Sequence, residues 1–165
     1  MAINDCNFRI GQGYDIHALI SGYPLIIGGI NIPHKKGLFG HSDGDVLLHA
    51  IIDALFGAAG LDDIGYHFSD NDSQYKNINS RVLLKRTFEK ITLNNFKIIN
   101  IDSTICIESP KIQPYTILMK NAISNDLQIN PNQINIKVKT NEKFGHVGRE
   151  ESVVATAIIL LKHLV

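Results

Sequence analysis

A chain of 165 residues is long enough to bury a core without disulfide or metal staples, and its length predicts one domain, residues 1–165. Apolar residues at 44% and charged residues at 19% exclude a disordered chain. Lys plus Arg (16) balance Asp plus Glu (16), so no bulk field draws the chain to nucleic acid or to an anionic membrane, and an anionic ligand needs a local site.

The opening MAINDCNFRIG carries polar residues and no long apolar run, so no signal peptide is expected. Cys6 and Cys106 are the only cysteines and lie outside any CxxC spacing. This argues against a disulfide framework or a Cys-rich zinc site and suits a reducing, cytoplasmic setting. Residues 8–16 read as a strand, with Gly11 and Gly13 placed where another backbone can approach closely. PLIIGGINIP (24–33) reads as a hairpin turning at Gly28 and Gly29. Ser42 or Asp43 is placed to cap a helix running to about Gly57. Residues 60–79 show no period and are long for a structureless loop, which marks them as functional or mobile.

A second helix fits 80–93, a strand 96–107, a third helix 114–127 and an alternating strand 134–140. The apolar VVATAIILL predicts a last helix over 149–163, either central to the core or partly buried by another subunit. His163 in it, like Met119 in the preceding helix, reads as structural, and His34 and His67 read as loop histidines. No apolar stretch approaches ~18 residues, so no membrane span is expected. The alternation of elements predicts an α/β fold of the α+β kind: a small single-layer sheet with helices packed on one face.

Asp15 and His17 lie at i and i+2 of the first strand, where both side chains reach the same face and can grip one ion. HSDGDVLLH (41–49) adds His49, on the same helical face as Asp45 and Asp53. Two imidazoles and one carboxylate leave one tetrahedral position open, the pattern of a catalytic zinc site. A D-x-H pair is also common, and Ser-Asp-Gly-Asp at a helix start ordinarily caps the helix and offsets its dipole. Capping and metal binding therefore both stay open on these two motifs. Asp53 is expected to orient a histidine ring, Asp45 to meet a substrate hydroxyl or orient a ligand, and Asp43 to be the cap. Free N–H groups from Ser42 onward can receive phosphate oxygens.

GYDIH, IPHKKGLFGHSDGDVLLHAIIDALFGAAGLDDIG, SPK and TNEKFGHVGREE occur in this order along the chain. Together they make it similar to the 2-C-methyl-D-erythritol 2,4-cyclodiphosphate synthases of the non-mevalonate isoprenoid pathway. The resemblance runs from about residue 8 to the last predicted helix. It implies a homotrimer with active sites between subunits, and a lyase that closes 4-diphosphocytidyl-2-C-methyl-D-erythritol 2-phosphate into a cyclic diphosphate, releasing CMP. It also implies that Asp15, His17 and His49 hold zinc, and that Glu142 holds a second ion, magnesium or manganese, against the diphosphate. His41 and Thr140 match positions that stabilise the transition state, and Ser42 lies with His41 at the phosphate end. Asp63, Ile64 and Gly65 match a ribose-contacting segment, while Phe68, Ser69, Asp70, Asn71 and Asp72 fall on a substrate loop. Ser109, Pro110 and Lys111 match the cytosine pocket.

The chain departs from the family pattern near its second metal residue. Lys139 and Asn141 flank Thr140 where threonines are frequent, His146 replaces an aromatic residue that with Arg149 lines a cavity on the three-fold axis, and Ser152 stands where glycine is frequent. Two other readings keep the motifs but change the chemistry. One is a metal-dependent phosphohydrolase with water in the open position; the other is a non-catalytic nucleotide- or metal-binding module.

Overall fold

The computed structural model describes residues 7–69 and 71–164. A long first strand, β1 (Phe8–Ser21), leads into the ribbon β2 (Leu25–Ile27) and β3 (Ile30–Ile32), and β4 (Lys36–Phe39) returns alongside β1. The two-residue loop of the ribbon is Gly28–Gly29, and φ values of 61° and 75° explain why glycine is needed there. Next come α1 (Val46–Ala59), the single turn α2 (Ile64–His67), a 3-10 turn at Ser73–Tyr75 and α3 (Ser80–Leu93). The chain continues through β5 (Phe96–Cys106), α4 (Thr116–Asp126), β6 (Ile134–Lys139), the single turn α5 (Gly145–Gly148) and β7 (Ser152–His163).

Five strands form one sheet in the order β4-β1-β7-β5-β6, antiparallel except for the pair β5 and β6. The helices lie on one face of it, so the expected fold class holds. On β1 the inner face carries Gly11, Gly13, Asp15, His17 and Leu19, and α1 crosses directly above. A Cβ on Gly11 would stand 2.0 Å from the Ala54 carbonyl oxygen, and one on Gly13 1.8 Å from that of Ala50. These two glycines let helix and strand backbones touch, as the sequence suggested. α1 is buried along most of its length, and truncating Leu47, Ile51 or Leu55 to Ala would cost about 2–5 kcal/mol each. A bulge at Ile99 shifts the alternation of β5, so that Ile98 and Ile101 both face the core.

Three expectations need correction. Residues 149–163 are not a helix: β7 is the central strand of the sheet. Val153, Ala155, Ala157, Ile159 and Leu161 face the helices, while Val154, Ile158 and Leu160 keep the other face apolar as well, which erases the period-two signal. Its β-branched residues were the better guide. The first helix is capped by Asp45, not by Ser42 or Asp43, and starts at Val46. The stretch 60–79 also carries its own structure, α2 and the 3-10 turn, each capped by an aspartate (Asp63 and Asp72).

Candidate active site and metal centre

The close contact of α1 with the two glycines carries His49 down onto the end of the β1 row. Asp15 Oδ2 lies 3.0 Å from His17 Nε2 and 3.0 Å from His49 Nδ1, and the two ring nitrogens are 3.1 Å apart. Tetrahedral bonds of about 2.1 Å demand ligand separations of roughly 3.4 Å, so a shift of a few tenths of an ångström would seat a zinc ion on this triangle. One oxygen and two imidazole nitrogens also suit that ion chemically. The residues present therefore fit the divalent cation that the sequence implied.

Hydrogen bonds on the far side of each ring fix which nitrogen faces the triangle. His17 Nδ1–H donates to the Phe39 carbonyl over 2.8 Å, leaving Nε2 with its lone pair. His49 Nε2 meets Ser80 Oγ at 2.9 Å and Ser42 Oγ at 3.1 Å. Burial alone would raise the Asp15 carboxyl, but when hydrogens rather than an ion lie between it and the rings, hydrogen bonds and charge from both histidines outweigh burial and hold the group well below the usual carboxylate range. Burial would lower His17, yet the Asp15 carboxylate and the Phe39 carbonyl raise it overall.

Two aspartates on the His49 side of α1 do other work than expected. Asp45 is fully buried and accepts the N–H groups of Gly28, Gly29 and Leu48 at 2.9, 2.6 and 3.0 Å, tying the hairpin loop to the helix start. It is the cap and has no outlet to a substrate hydroxyl; burial first, and then neighbouring Asp43, push its carboxyl up to about 6. Asp53 accepts the Ile64 N–H over 2.8 Å and so braces α2, while the histidine-orienting partner is Ser80. Burial raises the Asp53 carboxyl against that bond. Asp43 instead accepts from the Ser80 backbone and hydroxyl.

The triangle opens into a cavity of about 190 Å³, also lined by His41, Ser42, Ile64, Gly65 and Phe68. Sequence reading assigned these five residues to this site. It missed Tyr75, Ile78 and Leu83 on the far wall, which no local motif marks. The His41 carbonyl accepts the Asn77 N–H over 2.9 Å, and the Asp43 N–H donates to Ile78 over 3.2 Å, so 41–43 and 77–80 are laced together. Phe68 is buried against Phe56 and Tyr75, while His67 stacks on Phe56 and hydrogen-bonds the Leu61 carbonyl. Asp63 caps α2. Ser69, Asn71 and Asp72 are linked by hydrogen bonds within their own turn, and Asp70 lies outside the described residues.

A second cavity, about 350 Å³, collects Pro110, Lys111, Lys139 and Thr140 beside Ile107, Glu108 and Gln113. It gathers two of the three expected cytosine-pocket residues, Pro110 and Lys111, with the end of β6. Ser109 precedes Pro110 through a cis peptide bond. Thr140 Oγ1 donates to Glu142 Oε1 over 2.9 Å, and the Asn141 N–H donates to Glu108 over 3.1 Å. Thr140, Glu142 and His146 are exposed. His146 contacts Ser152 Oγ, and Arg149 donates through Nε and Nη2 to the two carboxylate oxygens of Glu151 at 2.9 Å each. The strands bearing the two cavities are separated by β7 and β5: Ile16 pairs with Val154, Val154 with Cys106, and Cys106 with Lys139. Three strand spacings put the two corners on the order of 14 Å apart within one chain.

Fold and site together define a mixed α/β protein in which the covered sheet face and its central helix build a three-residue corner chemically fit for a divalent cation, beside a polar cleft. The model of the YgbB family matches residues 8–162, and the chain belongs to that family. It is 53% identical over 155 residues to the 2-C-methyl-D-erythritol 2,4-cyclodiphosphate synthase of Paraburkholderia xenovorans (strain LB400), covering 94% of this chain and 98% of that one. The like-named protein of Laribacter hongkongensis (strain HLHK9) is 49% identical, with 94% and 96% covered. Among solved structures, the bifunctional IspDF of Campylobacter jejuni superposes with a TM-score of 0.91 at 39% identity, over 95% of this chain and 42% of that one. The Plasmodium falciparum IspF complex with CDP gives 0.84 at 35% identity, over 95% and 97%.

Proposed function

We propose that this protein closes 4-diphosphocytidyl-2-C-methyl-D-erythritol 2-phosphate into 2-C-methyl-D-erythritol 2,4-cyclodiphosphate with release of CMP, a step in isoprenoid precursor biosynthesis. The observation that carries this reading is the convergence of Asp15, His17 and His49 on one point at the mouth of a cleft, in a chain so similar to named synthases. An oxygen of the 2-phosphate attacks the β-phosphorus, and the bond from that phosphorus to the CMP oxygen breaks. The nucleophile is already anionic at neutral pH, so the reaction needs no general base. The difficulty is bringing one anion against another.

Asp15, His17 and His49 would hold zinc, and Glu142 a magnesium or manganese ion. Divalent cations in these places supply Lewis acidity that draws charge from the phosphate oxygens and lets the two anionic groups meet in line. His41 and Ser42, on the wall of the first cavity, donate to phosphate oxygens, and Thr140 donates at the reacting phosphate. Ile64 and Gly65 bound the sugar, with Asp63 beside them and Phe68, Ser69, Asn71 and Asp72 on the neighbouring substrate loop. Ser109, Pro110 and Lys111 hold the cytosine. Folding both reacting groups into one cleft supplies the proximity that a bimolecular reaction lacks.

The working assembly is a homotrimer with sites between subunits. Supporting this, the sheet face away from the helices is uncovered and apolar: Ile10 is 73% exposed, and Phe8, Tyr14, Ile16 and Ile158 stand beside it. Patches of this kind on a monomer mark interaction sites. The separation of the cation corner from the cytosine pocket within one chain supports it too, since a neighbour's pocket can then complete each cleft. The chain as a whole acts as one domain. Among the described residues no helix is long and apolar enough to cross a membrane.

Phosphorus NMR of the product mixture tests the activity. Cyclic diphosphate with stoichiometric CMP is the expected result. Linear phosphates would assign a phosphohydrolase instead, and unchanged substrate a binding module.

A further inference from the structure

What His49 offers at the corner depends on which of its ring nitrogens carries the hydrogen, and the contacts behind the ring decide that. Ser80 is the first residue of α3 and is fully buried. Its hydroxyl has a single hydrogen, and Asp43 Oδ1 takes it at 2.5 Å, while Asp43 Oδ2 accepts the Ser80 backbone N–H at 2.9 Å. Only lone pairs of Ser80 Oγ remain for His49 Nε2, 2.9 Å away. The ring must therefore present N–H at Nε2, and its Nδ1 lone pair faces Asp15 and His17.

We infer that Asp43 and Ser80 are positioning residues that act in series, a carboxylate–hydroxyl–imidazole chain holding His49 in the tautomer that can bind a cation. The inference rests on the metal-centre reading above. Asp43 is not spare for other work. Asp45 is the helix cap, and the Asp43 backbone N–H is itself held by the Ile78 carbonyl, so its carboxylate is aimed at Ser80 from a fixed base. Ser42 Oγ, 3.1 Å from the same ring nitrogen, is held less firmly: its contact with the Gly44 N–H is 3.4 Å and no carboxylate directs its hydrogen. Carboxylate–histidine–metal chains place the acid directly on the ring; here a serine stands between.

Asp43→Asn is the diagnostic change, because an amide has one accepting and one donating end. Turned to keep the Ser80 backbone N–H paired, it donates to Ser80 Oγ and frees the hydroxyl hydrogen to point at His49 Nε2. The preferred tautomer is then reversed. Zinc affinity of the full chain, measured by competition with a chromophoric chelator, should fall about 10- to 100-fold for Asp43→Asn and for Ser80→Ala. Because Asp43 acts through Ser80, adding Asp43→Asn to Ser80→Ala should cost less than about threefold more. Proton NMR of the zinc-loaded wild type should show a slowly exchanging His49 Nε2–H that Ser80→Ala removes. Wild-type affinity in both variants, or fully additive losses, would overturn the inference while leaving the metal centre standing. A wild type that binds no zinc would overturn the metal centre itself and this chain with it. Should Ser80→Ala fail to fold, Asp43→Asn and the wild-type resonance still decide.

Discussion

At the cation corner each side chain is gripped from two sides. His17 lies between Phe39 and Asp15, His49 between Ser80 and Asp15, and both rest on a strand and a helix locked by two glycines. Across the sheet, Thr140, Glu142 and His146 stand exposed on the segment from the end of β6 into α5, where Glu142 and Lys143 both have φ in the left-handed region, at 49° and 64°. One region is pre-organised by its own chain; the other presents functional groups outward. The contrast teaches where ordering has already been achieved: the first region is held by contacts within its own chain, while under the proposed function the second would be ordered only on binding.

Removing a ligand from the organised corner should give the largest effect. Four-ligand structural zinc sites are worth about 10–16 kcal/mol, so one ligand corresponds to roughly 3–4 kcal/mol, or a 10²- to 10³-fold loss of affinity. His49→Ala should therefore shed its zinc on dialysis while its circular dichroism stays that of the wild type. Stoichiometric zinc by atomic absorption in that variant would refute the ligand assignment.

The same contrast governs what could be read in advance. Asp15 and His17 were legible because strand geometry puts i and i+2 on one face, and Gly11 and Gly13 because close backbone contact excludes a Cβ. His49 followed from helical spacing. Ser80 was not legible as its partner: it stands 31 residues away and touches the ring only after α3 has docked on α1. Asp45 looked like a ligand-facing acid because helical spacing puts it on the His49 face, and only the folded hairpin loop reveals the three N–H groups that consume it. The final strand was misread because the central strand of a sheet whose outer face is also apolar shows no alternation. For residues 139–149 the motif was readable, but the left-handed backbone at Glu142 and Lys143, residues that seldom adopt it, carries no mark in the sequence.

The second test separates the regions by their need for neighbours. A lysine at Ile158, in the middle of the uncovered apolar face, should dissociate the proposed trimer in sedimentation experiments and lower turnover about hundredfold. Zinc stoichiometry should be untouched, since every ligand lies within one chain. Loss of zinc together with assembly would mean that the corner is not self-sufficient.

Smaller in reach is a pH effect beneath the corner. The Asp45 carboxyl, at about 6 when folded, lies above its ordinary value of 3.8. The folded state therefore holds this proton more tightly. Its contribution to stability is full below about pH 4 and is lost as pH rises through about 6, a change on the order of 3 kcal/mol. Asp45→Asn imitates the protonated acid and removes the titration. Urea unfolding of both proteins from pH 4 to 7 should show the wild type losing ground to the variant between 4 and 6. A constant difference would mean that the three backbone N–H donors hold Asp45 ionised throughout.

The smallest expected change falls on the outward-facing loop. Glu142 accepts from Thr140 through one oxygen, a contact that glutamine can keep through its carbonyl. Glu142→Gln thus removes charge and little else. A carboxylate and a dication in contact near water attract each other by an amount that corresponds to a ten- to thirtyfold change in binding. The magnesium needed for half-maximal turnover should rise by about that factor while zinc stays stoichiometric and the fold is unaltered. If magnesium dependence is unchanged, the second ion is held elsewhere, and the exposed loop serves only to contact the substrate. If zinc is lost as well, the two regions are coupled more tightly than their separation across the sheet suggests, and the division between a finished corner and an unfinished one has to be given up.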